Sequence, residues 1–90
     1  MEAIHTWKVD VQLLGLGHST SAHATLRTRR DGGALYGQGR ARRNPSDADI
    51  PEIGEEIAVS RALRDLADRL VRAASEDISE VQHTTVRLRR

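Results

Sequence analysis

Four histidines, a run of three hydroxyl side chains and a cluster of five carboxylates are the groups in this chain that could carry chemistry. His5, His18, His23 and His83 are scattered, and none has a partner at the helical spacing that metal ligands use. Ser19, Thr20 and Ser21 follow His18, but a nucleophile–base pair needs an orienting acid, and none lies nearby in sequence. These residues read better as the start of a strand. Asp47, Asp49, Glu52, Glu55 and Glu56 could gather a cation, although their place around a helix start has a simpler reason in capping and the helix dipole. Gly37-Gln38-Gly39 resembles part of a dinucleotide fingerprint, yet the third glycine is absent and the pair sits inside a strand pattern. With no cysteine in the chain, thiolate zinc sites, iron–sulfur clusters and disulfide scaffolds are excluded. No enzyme activity, cofactor or metal is expected.

Charge placement is more informative. The formal net charge of +1 conceals two blocks of opposite sign. Six arginines and only Asp31 lie between Arg27 and Arg43, whereas Asn44 to Glu56 carries five acids and no base. All basic residues but Lys8 are arginine, the side chain suited to phosphate and carboxylate. Strand alternation would gather Lys8, Arg27, Arg29, Tyr36, Arg40 and Arg42 on one sheet face, with His23 among them. Basic side chains interleaved with an aromatic make that face a candidate for RNA or ribosome contact, with a solvated surface and a dimer interface as the other readings of the same face. The acidic set Asp47, Asp49, Glu52, Glu55 and Glu56 is the competing candidate, as a dock for a basic protein partner.

The elements that must position these groups follow from hydrophobic period. Thr6 to Leu14 alternates, with Trp7, Val9, Val11 and Leu13 on one side. After the turn Gly15 to Ser19, Ser21 to Arg29 alternates again, placing Ala22, Ala24 and Leu26 inward. Asp31-Gly32-Gly33 is a hairpin signal, and the spacing predicts a third strand over Ala34 to Arg42. Its inward set, Leu35, Gly37, Gly39 and Ala41, is so small that a helix can approach the backbone. Asn44 to Asp47 is turn-forming, and Pro51 suits a first helical turn. Ile53, Ile57, Leu63, Leu66, Leu70 and Ala74 make an apolar stripe predicting a helix from Pro51 to Ala74, resuming through Ser75 to Val81. Opposite charges at Arg61/Asp65, Arg64/Asp68, Asp65/Arg69 and Asp68/Arg72 mark its solvated side. Thr84 to Arg89 alternates once more and reads as a short fourth strand or a frayed end.

The expected fold class is therefore α+β: an antiparallel three- to four-stranded sheet, order β-β-β-α, with one long helix packed on one face. Ninety residues allow a single domain, 1–90, and no apolar run approaches a membrane span. Without a signal-peptide pattern, a cytoplasmic protein is expected. Trp7, Val9, Val11, Leu26, Leu35, Ile57, Leu63, Leu66 and Leu70 are the predicted core. Marginal burial and unpaired sheet edges predict a homodimer, without a membrane or small-molecule partner.

The block from Gly37 to Asp47, then Ile50-Pro51-Glu52-Ile53-Gly54-Glu55-Glu56 and Arg61-Ala62-Leu63-Arg64-Asp65-Leu66, resembles a small actinobacterial family of unknown function. Thr6-Trp7, Val9-Asp10, Asp77-Ile78 and Thr84 to Leu88 fit the same pattern. The resemblance implies a fold like the double-stranded-RNA-binding domain, a link to stress or dormancy, and a likeness to ribosome hibernation factors. Members tend to carry apolar residues where this chain has Gln38, Arg40 and Arg43, so a more basic outer sheet face is expected here. Thr85 stands where members often have Pro, which leaves the final strand freer to pair. RNA-binding domains of that fold usually present basic residues at the start of the helix after the sheet, and here that end is acidic.

Overall fold

The computed structural model describes residues 2–27 and 32–82. Three strands, β1 (Val9–Leu16), β2 (Ser19–Arg27) and β3 (Ala34–Arg42), precede one helix, α1 (Pro51–Gln82). The sheet is antiparallel in the order β1-β2-β3, and α1 lies across one face. This is the α+β, β-β-β-α arrangement that the hydrophobic periods predict.

Local chemistry explains each boundary. Gly17 adopts a φ of +60° in the two-residue link to β2, so β1 runs through Gly15 and Leu16 before it turns. The register Leu16 opposite Ser19 brings the start of β2 forward to Ser19. Gly32, with a φ of +63°, serves the second hairpin; Asp31 lies outside the described residues, as does Thr84 to Arg89. In the loop after β3, the side-chain oxygen of Asn44 accepts from the backbone and hydroxyl of Ser46. The Asn44 carbonyl accepts from the Asp47 N–H at 2.8 Å, closing the turn. Between Glu55 and Gln82 there is neither glycine nor proline, so α1 continues without the interruption expected after Ala74. At 32 residues it is about 48 Å long. Nine-residue strands span about 30 Å, so the last turns of α1 extend past the sheet.

The core is built largely from alanine. Ala22, Ala24, Leu26 and Ala41 of the sheet are buried against Ala58, Ala62 and Leu66 of α1, with Val11, Leu35, Val59 and Leu70 packed at the margin. Gly37 and Gly39 face the same helix. A Cβ on Gly37 would sit 2.6 Å from the Leu66 nitrogen, and one on Gly39 would sit 2.8 Å from the Arg61 Cβ. The helix backbone therefore rests directly on β3, as the small inward residues of that strand predict.

That close seat corrects the predicted core. A helix about 10 Å wide spans two strands at a spacing of about 4.8 Å, and β3 holds α1 over β2 and β3. The apolar face of β1 is left open. Trp7 (54% exposed), Val9, Ile57 and Leu63 are consequently exposed and not core; Ile57 lies on a part of the helix that no strand covers. Leu26 and Leu66 are fully core, while Val11, Leu35 and Leu70 are partly so.

Candidate interaction surfaces

Period-2 alternation gives the sheet an inner face under α1 and an outer face open to water. Asp10, Gln12, Leu14 and Leu16 of β1 share the outer face with Ser21, His23, Thr25 and Arg27 of β2 and with Tyr36, Gln38, Arg40 and Arg42 of β3. His23 and Tyr36 lie in tilted ring contact, centroids 5.5 Å apart, at its centre. Gln12, Ser21, His23, Gln38 and Arg40 line a shallow depression beside them.

The register divides the basic set. Arg40 stands opposite Ser21 and Arg42 opposite Ser19, whereas Arg27 stands opposite Ala34. Arg27 and Arg40 are thus six residues apart along the sheet, about 20 Å. Lys8 precedes Val9, the partner of Leu26, and so belongs to the Arg27 end. Arg29 lies outside the described residues. The single compact patch expected from alternation is instead two basic ends with the His23–Tyr36 pair and the acidic Asp10 between them.

Arg43 departs further from expectation, since it does not add to the outer face. Its backbone N–H donates to the His18 carbonyl at 2.7 Å. Its guanidinium donates to the Asp47 carbonyl at 2.8 Å and to His18 Nδ1 at 2.6 Å, and lies 3.6 Å from the Asp49 carboxylate. The His18 hydrogen therefore sits on Nε2. Arg43 joins the β1–β2 turn to the loop before α1, with the Asp49 carboxylate beside its guanidinium.

The third arrangement seals an edge. β3 is the last strand, so the Gln38 N–H and Arg40 C=O point away from β2. Asp65 accepts from the Gln38 N–H at 2.9 Å, and Arg61 donates to the Arg40 carbonyl at 2.7 Å. Asp65 also pairs with Arg69 at 3.4 Å, the i,i+4 contact that the sequence predicts. The Gln38 N–H, aided by Arg69 and Arg72, holds the Asp65 carboxyl below its ordinary value. Such a depressed group supports the fold above its unfolded value of about 3.9 and loses that support as pH falls toward the folded value. Asp65→Asn should therefore lower the urea midpoint at pH 6 and differ little from the parent near pH 2.5. An equal deficit at both pH values would remove Asp65 ionisation from the edge contact.

The acidic residues border a different feature. Glu52, Glu55 and Glu56 on the β1 side of α1 line a groove with Val59, Ser60, Leu63 and the inner-face Leu13. Leu13 and Leu63 are each 42% exposed. The groove exists because α1 leaves β1 uncovered. Asp47 and Asp49 lie outside it, in the loop tied by Arg43. Among the described residues no three of His, Asp and Glu converge as a metal site, and no helix is long and apolar enough to cross a membrane.

A family model for Rv2632c-like proteins matches residues 5–87. The chain belongs to the Rv2632c-like family. It is 43% identical over 82 residues to an uncharacterised protein of Mycobacterium bovis, covering 91% of this chain and 85% of that one. Uncharacterised Rv2632c of Mycobacterium tuberculosis is 38% identical over 69 residues, 77% of this chain and 74% of its own. The crystal structure of Rv2632c superposes with a TM-score of 0.82 at 35% identity, covering 92% of this chain and 96% of that one. The family of small actinobacterial proteins suggested by the central sequence block is thus the correct one.

Arg43, Arg61 and Asp65 are the residues that sequence reasoning assigned wrongly or incompletely. Arg43 had a signal in the Arg-Asn-Pro-Ser-Asp turn that follows β3. Arg61 and Asp65 had none beyond helix charge pairing, because edge contacts 21 and 27 residues away in sequence leave no local pattern.

Proposed function

We propose that this member of the Rv2632c-like family is a non-enzymatic interaction module that docks a basic, apolar-anchored segment of another protein in the groove between β1 and the first half of α1. The observation that carries this reading is the juxtaposition of Leu13, Val59 and Leu63 with Glu52, Glu55 and Glu56 around one opening. Exposed apolar side chains supply the driving force, and three carboxylates on the rim select positive charge. Asp47 and Asp49 contribute to the field from the adjoining loop. A labelled synthetic peptide with Leu and Arg at helical spacing should bind, and Glu52→Gln/Glu55→Gln/Glu56→Gln should weaken it about tenfold at low salt, with each exposed pair contributing up to about 1 kcal/mol. Binding that is unchanged in the triple variant would refute the docking reading.

A second reading is favoured by the exposed His23–Tyr36 contact beside Arg40 and Arg42. There the outer face would contact RNA or a ribosome, in the stress or dormancy setting that the family resemblance implies. Arg27, two residues beyond Thr25, the partner of Tyr36, and Arg40, two residues beyond Gln38, the partner of His23, flank the aromatic pair from opposite ends, so its cations are spread along the sheet and not gathered at one point. Co-sedimentation with ribosomes from starved cells discriminates the two. Salt-sensitive co-sedimentation that Arg40→Gln/Arg42→Gln abolishes would support contact through the outer face; indifference to that change would exclude it.

A further inference from the structure

We infer that the open edge of β1 is the seat of a second copy of this chain, β1 against β1 across a two-fold axis. The two edges of the sheet are treated differently. At β3, Asp65 and Arg61 occupy the outward Gln38 N–H and Arg40 C=O. Because Gln38 points outward, strand alternation through its partner His23 turns the Gln12 hydrogen bonds toward β2. The N–H and C=O groups of Val9, Val11, Leu13 and Gly15 then line the other edge. Among the described residues, nothing hydrogen-bonds to them there.

Exposed edges are ordinarily blunted by a lysine, a proline or a bulge. Lys8 and Asp10 stand at the first end of β1, but from Val11 to Leu16 the strand carries no charge and no proline, and its pairing with β2 runs without a bulge. It exposes apolar side chains on both faces, Leu13 on the inner and Leu14 (59%) and Leu16 (69%) on the outer. The occupant that fits is an extended, uncharged strand with apolar residues on both faces. A basic strand would find no acid between Val11 and Gly17. The chain carries the matching strand itself. Antiparallel self-pairing centred on Leu14 brings residues of the same face opposite one another, so Val11 and Leu13 of both copies share the inner side, and Gln12, Leu14 and Leu16 the outer, with Asp10 beyond the paired stretch. The result is a six-stranded sheet with two helices on one face. Those helices stand four strand spacings apart, about 19 Å between axes, so the second copy seats on the strand edge and not on α1. This goes beyond groove docking, and the two stand or fall separately.

Sedimentation equilibrium of the full chain between 1 and 200 µM tests it, with circular dichroism reporting the fold. The parent should have twice the 10.0 kDa chain mass. Leu13→Pro removes an N–H that β2 does not use, and it should give a folded monomer. Leu14→Lys/Leu16→Lys alters only exposed side chains and should also be a folded monomer, which decides the matter if the proline variant unfolds. Arg40→Gln/Arg42→Gln and the triple Glu→Gln variant should remain dimeric. A monomeric parent at every concentration, a folded lysine variant that still dimerises, or a dimer lost on changing Arg40 and Arg42 would each overturn the assignment.

Discussion

Gly39→Val should come close to unfolding this protein. The added Cβ meets the Arg61 Cβ at 2.8 Å and the backbone of Ala58 and Ala62 closer still, and helix backbone cannot step aside as a flexible side chain can. Relief requires lifting α1 off β3, which would separate Ala58, Ala62 and Leu66 from the buried face of the sheet. Overpacking of this kind costs about 3 kcal/mol, equivalent to a fall in Tm of about 12–24 °C for a domain of this size. Gly37→Ala should act in the same direction, because its Cβ would lie 2.6 Å from the Leu66 nitrogen. Gly15→Ala is the control: nothing lies within 4 Å of the added atom, and Tm should hold or rise slightly. A Gly39→Val protein that melts with the parent would show that α1 does not rest on β3.

Arg43→Ala should produce the next largest loss. The side chain is only 24% exposed and makes charge-assisted bonds to the Asp47 carbonyl and His18 Nδ1, with Asp49 alongside. Its removal leaves the His18 turn and the 44–50 loop without their shared fastening, at a cost of about 1.5–3 kcal/mol. Arg43→Lys should not restore it, since the three N–H groups of an ammonium radiate from one nitrogen, whereas the guanidinium meets Asp47, His18 and Asp49 from three separate nitrogens. Urea midpoints of the three proteins check this. A lysine variant as stable as the parent would reduce Arg43 to a point charge.

Much of the fold is legible in the sequence because local rules agree with one another. Gly32 marks the second hairpin, and the inward set Leu35, Gly37, Gly39 and Ala41 is small enough to announce a helix lying directly above it. The apolar stripe of α1 names that helix. What local patterns do not reveal is which strands it covers. The amphipathic stripe of α1 and the alternation of β1 each predict burial, but one helix cannot cover three strands, and the small residues decide in favour of β2 and β3. Trp7, Val9 and Leu63 are exposed for that reason, and the groove that Leu13 and Leu63 border leaves no trace in periodicity. The division of the basic residues had a sequence basis that alternation alone obscures. Alternation assigns Arg27, Arg40 and Arg42 to one face, while hairpin register sets how far apart they lie on it. Placing Arg27 opposite Ala34 sends it to the far end from Arg42.

The central claim, that the acid-rimmed groove and not the basic sheet face is the working surface, is tested most directly by amide-resolved nuclear magnetic resonance. The labelled protein would be titrated with the Leu/Arg peptide and with a Leu/Glu counterpart of the same apolar pattern. The account predicts shifts at Leu13 and across Glu52 to Leu63 with the first peptide, none with the second, and a quiet outer face. Equal responses to both peptides, or shifts gathered at His23, Tyr36, Arg40 and Arg42, would contradict it.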